Sequence, residues 1–416
     1  MTRLMIYAQV PPPVHGQSVM VGHLVDGLRE AQQIDLESNP GDNASAKIVF
    51  CHVNPRISED LGDIGRWRPR KLVLVFRYIL AAIRARFRHN LDTFYFVPAP
   101  PKRGALYRDW CVLLLCRPFF RRLVLHWHCI GQPAFMEKKL SAPERFLARW
   151  FYGGAALSIV LSNYSKGEAA YFNSVRTEVV PNGIPDPCPE FDAKVWPERQ
   201  ARAKALTGAH MQKGAPEYYE VLFLAGRMTP KGLFDAMAAV THANILLTKK
   251  NLPLRVRLTV AGSFDDDEER GRFHDAAKVI KLTQSPGKQD PLAIYIGWAS
   301  EEKKKLLFRG ADCLIFPTFY PAESFGLVLA EAMAHGCAVI TTRWQAVPEV
   351  LPSDYENIVA PHDIDAMAKA LLRCASAPAD RSLRDYFLAR FTQDRFAQQM
   401  IAVLGGLSDT DSKSAS

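Results

Sequence analysis

Short apolar runs rich in Val, Ile, Leu and aromatic residues recur along this chain, each closed by a polar or Gly/Pro-rich break and followed by a longer stretch with apolar positions every three or four residues. Runs of the first kind predict buried strands, and stretches of the second kind predict helices packed on them. A first series places strands near residues 4–8, 47–53, 93–97, 122–128, 157–161 and 178–180. A second places them near 221–225, 255–261, 292–296, 313–316, 337–342 and 358–360. Such alternation predicts parallel sheets of the α/β class. Between the series lies Pro181-Asn182-Gly183-Ile184-Pro185-Asp186-Pro187, and its Pro and Gly density marks a boundary. From there to Tyr219 the chain reads as irregular and polar, apart from a helix near 197–206. The expected organisation is one α/β domain over residues 1–184 and a second over 185–380, then C-terminal helices over 381–404 and a disordered tail over 405–416.

Length agrees, since 416 residues suit two cores better than one. No apolar run approaches the ~20 residues of a membrane-spanning helix. The N-terminus reads as a strand entering a Pro-rich loop and not as a signal peptide. The eight cysteines contain no C-x-x-C pair, which points away from a zinc site or a disulfide framework and toward a reducing cytosol. The net charge of +9 favours phosphates, anionic lipid or nucleic acid as partners. Nucleic acid is set aside, because no aromatic-interleaved binding module accompanies the charge.

The charge is uneven. Residues 64–91 contain no acid, yet they carry Arg66, Arg68, Arg70, Lys71, Arg77, Arg84, Arg86 and Arg88. Leu72, Phe76, Ile79, Leu80, Ile83 and Phe87 follow helical spacing there, so one apolar face is expected. That face either packs on the core with a solvated basic back or forms a landing surface for anionic lipid headgroups. A second basic, apolar stretch covers residues 102–122.

Candidate chemistry sits where strands end. Phe316-Pro317-Thr318-Phe319-Tyr320-Pro321-Ala322-Glu323-Ser324-Phe325-Gly326 leads into a helix expected from about Gly326, with Glu331 one to two turns in. Backbone N–H groups at Phe325 and Gly326 suit an anion such as a phosphate. Carboxylates beside a phosphate repel it, so Glu323 and Glu331 read better as acceptors for sugar or ribose hydroxyls. The loop Gly226-Arg227-Met228-Thr229-Pro230-Lys231-Gly232 offers a diphosphate a planar fork and a point charge, although a structural ion pair is the alternative. It lacks the P-loop pattern. After the first strand, Gly16 would let backbone approach a ligand and Ser18 can cap the next helix. His126 and His128 alternate at a strand end, where one faces a ligand crevice or both pack on backbone carbonyls. Asp265, Asp266, Asp267, Glu268 and Glu269 read as a helix start favoured by the dipole, and no metal is expected.

Glu323 to Glu331 with seven residues between, Gly226-Arg227 with Lys231-Gly232, Val180-Pro181-Asn182-Gly183 and Pro348-Glu349-Val350 together resemble the GT-B glycosyltransferases, specifically the retaining group called glycosyltransferase family four. The resemblance covers nearly the whole chain. It implies two Rossmann-like domains facing each other across a cleft, with the helices over 381–404 crossing back to the first domain, and a nucleotide diphosphate sugar as donor. By that resemblance Arg227 and Lys231 hold the diphosphate, Glu331 takes the ribose hydroxyls, and Glu323 with Ser324, Phe325, Gly326 and Leu327 holds the donor sugar and phosphates. Gly16 and Gly226 line the donor site, and His128, or else His126, lies beside the sugar. Arg227, Lys231, Glu323 and His128 are thus the implied catalytic set. The chain departs from the family pattern at His15-Gly16, where two glycines are usual, and at Gln345 and Ala346, where glycines precede Pro-Glu.

The implied reaction moves a sugar to an acceptor hydroxyl with retained configuration, without metal or cofactor, while the leaving diphosphate takes the acceptor proton. Domain closure about residues 182–186 would exclude water. The basic stretch suggests a lipid-linked saccharide acceptor in bacterial surface polysaccharide assembly, and hence a cytoplasmic protein seated peripherally on the inner face of the cell membrane. The alternatives are a nucleotide-sugar epimerase of the same fold, which needs catalytic carboxylates in the first domain, and a non-catalytic nucleotide-sugar-binding subunit.

Overall fold

The computed structural model describes residues 2–14, 16–37, 48–57, 69–208, 218–284 and 290–407. Expectations for His15, residues 64–68 and the tail beyond 407 lie outside them. The chain forms two compact units: one up to Pro185 that resumes at Phe391, and one from Asp186 to Arg390.

The first unit runs β1 (Thr2–Tyr7), α1 (Gly16–Glu37), β2 (Ile48–Val53), α2 (Pro69–Arg88), β3 (Thr93–Phe96), α3 (Arg103–Cys116), β4 (Arg122–Trp127), α4 (Gln132–Lys139), α5 (Ala142–Tyr152), β5 (Leu157–Val160), α6 (Lys166–Tyr171) and β6 (Thr177–Val179). Its strands are parallel in the order β2-β1-β3-β4-β5-β6. β3, β4 and β5 are buried along their whole length, as apolar strands covered on both faces must be. After β2 every crossover steps in one direction, so right-handed connections put α2, α3 and α5 on one face of the sheet. A shared core lies beneath them, with Val75, Ile79, Trp110, Leu113, Phe151 and Tyr152 among its members.

α2 departs from the expected single apolar face. Val75, Ile79 and Ala82 are buried, while Leu72, Phe76, Leu80 and Phe87 are exposed. The helix is apolar on both sides, and only a narrow strip of it meets the core.

The second unit runs α7 (Trp196–Gly208), β7 (Tyr218–Ala225), α8 (Leu233–Lys249), β8 (Arg255–Gly262), α9 (Asp267–Lys281), β9 (Ala293–Tyr295), α10 (Glu301–Gly310), β10 (Cys313–Phe316), α11 (Leu327–Ala334), β11 (Ala338–Thr342), β12 (Ile358–Val359), α12 (Ile364–Ala375) and α13 (Ser382–Arg390). These strands too are parallel, in the order β12-β11-β10-β7-β8-β9. The direction of chain travel reverses between β7 and β10, and ligands of such sheets gather at this switch point, at the carboxyl ends of the strands.

α13 stays with the second unit, because the buried Arg384 donates to both carboxylate oxygens of Asp186 and to the Ala334 carbonyl. Of the C-terminal helices, α14 (Gln393–Gly405) is the one that belongs to the first unit, where it packs on α1. There Thr2 Oγ1 donates to the Leu404 carbonyl at 2.9 Å, and Ile184 and Thr392 form a parallel bridge.

Candidate active site

Two loops meet at the switch point of the second sheet. The loop after β7 carries Gly226 and Arg227, then a tight turn at Thr229–Lys231, then Gly232, from which α8 departs. Gly232 has a φ of +88°, and a Cβ there would lie 2.2 Å from the Pro317 carbonyl oxygen of the second loop. Only glycine satisfies both the left-handed backbone and that approach. The loops are also joined by the Phe319 N–H, which donates to the Pro230 carbonyl at 3.1 Å.

This contact brings the side chains together. The Lys231 ammonium pairs with Glu323 Oε2 and lies over the Tyr320 ring, 4.7 Å from its centroid. Both charged groups are largely withdrawn from solvent. Arg227 is more open, and its Nη2 reaches Asp265 at 3.2 Å. Glu269 accepts from the Thr229 N–H at 2.8 Å and from the Asp265 N–H at 2.6 Å, while Asp266 caps α9 by accepting from the Glu269 N–H. Three members of the acidic run are thus occupied in fixing the Arg227 loop and the start of α9.

The second loop is braced from β11. The hydroxyls of Thr341 and Thr342 donate to the Phe316 and Thr318 carbonyls, Trp344 Nε1 to the Tyr320 carbonyl, and Gln345 Nε2 to the Pro321 carbonyl. Gln345 takes a φ of +47°, the region where glycine is at home, and its amide uses that position to hold the loop. Ala346 beside it is fully buried.

Ser324, Phe325 and Gly326 then lead into α11, which begins at Leu327, one residue later than expected, with Gly326 at a φ of +78°. Glu331 is in the second turn of this helix. Its Oε1 accepts from Lys304 Nζ of α10 at 2.6 Å, and Lys304 also reaches Glu301 at 2.8 Å. Burial raises the Glu331 pKa, and the Lys304 charge partly offsets the rise. Lys304 was hidden in the sequence inside the run Lys303-Lys304-Lys305; packing of α10 beside α11 singles it out. Tyr320 and Trp344 were likewise unmarked.

In the first unit, Gly16 opens α1 in an exposed position, and Ser18 lies buried within the first turn, where its hydroxyl donates to the Pro13 carbonyl at 2.8 Å. His126 and His128 extend from the same face of the β4 chain with ring centroids 4.0 Å apart, and both are buried. Tyr95 bonds His126 Nδ1, and burial, with His128 second, pushes the His126 pKa well down. The turn beyond them is held by Glu168, which accepts from the Gly131 and Gln132 N–H groups at 2.7 and 3.0 Å.

Burial raises the Glu168 pKa from 4.5 to about 7, against the lowering effect of those two donors. A folded pKa above the unfolded one means that this group stabilises the fold fully below pH 4.5 and loses that contribution as pH rises through about 7. The melting temperature should therefore decline across this window, and Glu168→Gln should flatten the decline in a calorimetric pH series.

Residues 219–377 match the family described as glycosyl transferases group 1. Among curated proteins the chain is 31% identical over 284 residues to the phosphatidyl-myo-inositol mannosyltransferase of Mycolicibacterium smegmatis, covering 65% of this chain and 66% of that protein. It is 32% identical over 96 residues to the O-antigen chain mannosyltransferase B of Escherichia coli, 23% of this chain and 24% of that one. The chain thus spans from about a quarter to about two thirds of the length of these relatives. Among solved structures it is similar to Anabaena HepE in complex with UDP and glucose, at 16% identity and a TM-score of 0.60 over 97% of this chain and 99% of that one. Sucrose-phosphate synthase from Thermosynechococcus elongatus matches at 18% identity and a TM-score of 0.62 over 96% and 98%. At these identities the structures share the fold.

Proposed function

Since the chain belongs to the group 1 glycosyltransferases and has their GT-B fold, we propose that it transfers a sugar from a nucleotide diphosphate sugar to an acceptor hydroxyl with retention of configuration. The observation that carries this reading is the pairing of two cations with two carboxylates at one switch point: Lys231 with Glu323, and Lys304 with Glu331. In this proposal the diphosphate takes the place of Glu323 beside Lys231, and Arg227 closes on it from the exposed side. Charge that develops on the leaving diphosphate then meets fixed cations and the start of α11. Glu323 is released to the donor sugar hydroxyls, and Glu331 accepts from the ribose. Ser324, Phe325, Gly326 and Leu327 supply backbone to the phosphates. His128 is the further residue proposed for the donor sugar, and burial keeps the pKa of the neighbouring His126 well down. The reaction needs no metal in this scheme, because the protein's own cations carry the leaving charge.

The proposed acceptor is a lipid-linked saccharide of bacterial surface polysaccharide assembly. The names of the matched relatives, an O-antigen chain mannosyltransferase and a phosphatidyl-myo-inositol mannosyltransferase, support it. A thermal-shift screen with UDP-, GDP- and ADP-sugars tests the donor, because a ligand of the native state raises its melting temperature. Absence of a shift with every donor would overturn the reading.

Lys304 has its own test. Lys304→Met removes the charge that offsets the rise of the Glu331 pKa and leaves this partly buried carboxyl a weaker acceptor for the ribose. KM for the donor should rise about tenfold, the scale of one lost hydrogen bond to a charged group, with kcat changed far less. The loss should deepen as pH falls. Equal losses in kcat and kcat/KM would instead place Lys304 in the chemical step.

A further inference from the structure

We propose that the outer surface of the α2, α3 and α5 layer docks on a bilayer that carries anionic lipid, with the apolar row of α2 and the aromatic residues of α5 set into its interface. The outward face of α2 is amphipathic in its own right. At 100° per residue, Phe76, Phe87, Leu80 and Val73 follow one another across roughly 60° of that face, and Arg84, Arg77 and Arg88 continue the same arc over roughly the next 60°. All seven are exposed, the four apolar ones by 48% or more. Such an arrangement, an apolar band bordered along one side by arginines, is what a helix lying in a headgroup boundary presents.

The face continues onto its neighbours. Phe87 meets Phe119 edge-on at 5.8 Å, just past the end of α3, and Arg117 donates to the carbonyls of Trp150, Phe151 and Gly153 at the end of α5. On α5 itself Phe146 and Trp150 lie one turn apart, 70% and 58% exposed, while Ala148, Phe151 and Tyr152 enter the core. Exposed aromatic residues thus lie on α2, just past the end of α3 and on α5, and clustered exposed apolar side chains of this kind mark interaction surfaces.

Charge selects the occupant. α2 carries no carboxylate, the Asp109 of α3 is buried against Arg108, and the Glu144 of α5 pairs with Arg103. A second copy on the same face would set arginine against arginine, and a nucleic acid would leave the Phe and Leu side chains uncovered. An anionic bilayer accommodates both halves of the face. Among the described residues no helix is long and apolar enough to cross a membrane, so docking is peripheral.

The test uses the full-length protein with vesicles of phosphatidylcholine alone or with phosphatidylglycerol, read by co-sedimentation. The wild type should bind the anionic vesicles and not the neutral ones. Arg77→Gln/Arg84→Gln/Arg88→Gln should weaken binding on the order of a hundredfold, at the contribution of one basic residue near an anionic surface taken three times. Phe76→Ser/Leu80→Ser/Trp150→Ser, with every charge retained, should weaken it tenfold or more. All six substitutions are at exposed positions, so the melting temperatures and the nucleotide-sugar thermal shift should match the wild type. Wild-type binding by both variants, or no binding to anionic vesicles by the wild type, would overturn the proposal. So would a dimer in sedimentation velocity that the apolar variant abolishes. The inference is independent of the proposed reaction: lipid binding can hold while the donor screen fails, and the reverse.

Discussion

Lys231→Ala is expected to lower kcat by roughly a hundred- to a thousandfold, the usual cost of removing one preorganised group that stabilises leaving charge. The same substitution leaves Glu323 with no cation in a position where it is only 8% exposed. Stripping one partner from a buried pair destabilises by ~3–5 kcal/mol, so a loss of activity alone would be ambiguous. The companion variants Glu323→Gln, which measures the loss from the carboxylate alone, and Lys231→Ala/Glu323→Gln resolve it. With both charges gone, the melting temperature should return toward that of the wild type while turnover stays low. If turnover recovers along with stability, Lys231 acts through the fold and not through the donor. Single-turnover rates at saturating donor, beside calorimetry of the wild type and all three variants, provide the comparison.

Gly232→Val is the second large effect. Two costs combine: the left-handed backbone, and a Cβ placed 2.2 Å from the Pro317 carbonyl oxygen and 2.7 Å from the Pro317 ring. A side chain at such a φ costs ~1–3 kcal/mol, and a β-branched one is at the high end. The clash adds to it, because relief requires the loop after β10 to withdraw from the loop after β7. The melting temperature should fall by roughly 6–12 °C for a unit of this size, and donor binding should weaken more than stability alone explains, because Lys231 and Glu323 sit on the two loops that part. A variant that melts early yet binds donor normally would show that the two loops need not touch.

Much of this was legible in the residues. β10 begins and ends at the expected positions because its four residues are apolar and bounded by Asp312 and Pro317, which leaves the pattern no freedom. The Arg227 and Lys231 loop could be seen because Gly, Pro and two cations after an apolar run have few structural reasons to coincide. What stayed hidden was partnership across elements. Lys304 is one of three adjacent lysines, and only the side-by-side packing of α10 and α11 aims it at Glu331. In the same way, spacing could show that α2 is helical but not which of its apolar residues face inward. Helical spacing puts Leu72, Phe76, Leu80 and Phe87 on one face together with Ile79, yet Ile79 is buried and the other four are not. When a helix is apolar around most of its circumference, periodicity loses the contrast that tells inside from outside. The departures at Gln345 and Ala346 have a local answer. Gln345 accepts the backbone geometry of the absent glycine, and its side chain binds the loop that carries Glu323.

The bridge between Ile184 and Thr392 joins two segments more than 200 residues apart in the chain. The Ile184 N–H donates to the Phe391 carbonyl and the Gln393 N–H to the Ile184 carbonyl, so the chain leaves the first unit and re-enters it through neighbouring positions. In topological terms the second unit is an insertion, drawn from one uninterrupted stretch of sequence. On the ribosome that stretch is complete while the first sheet still lacks α14, the helix that packs on α1. Domains generally fold as units while they emerge. Here the unit that is begun first is the one finished last, and a nascent chain must leave the side of α1 that α14 covers open until the second unit has been made.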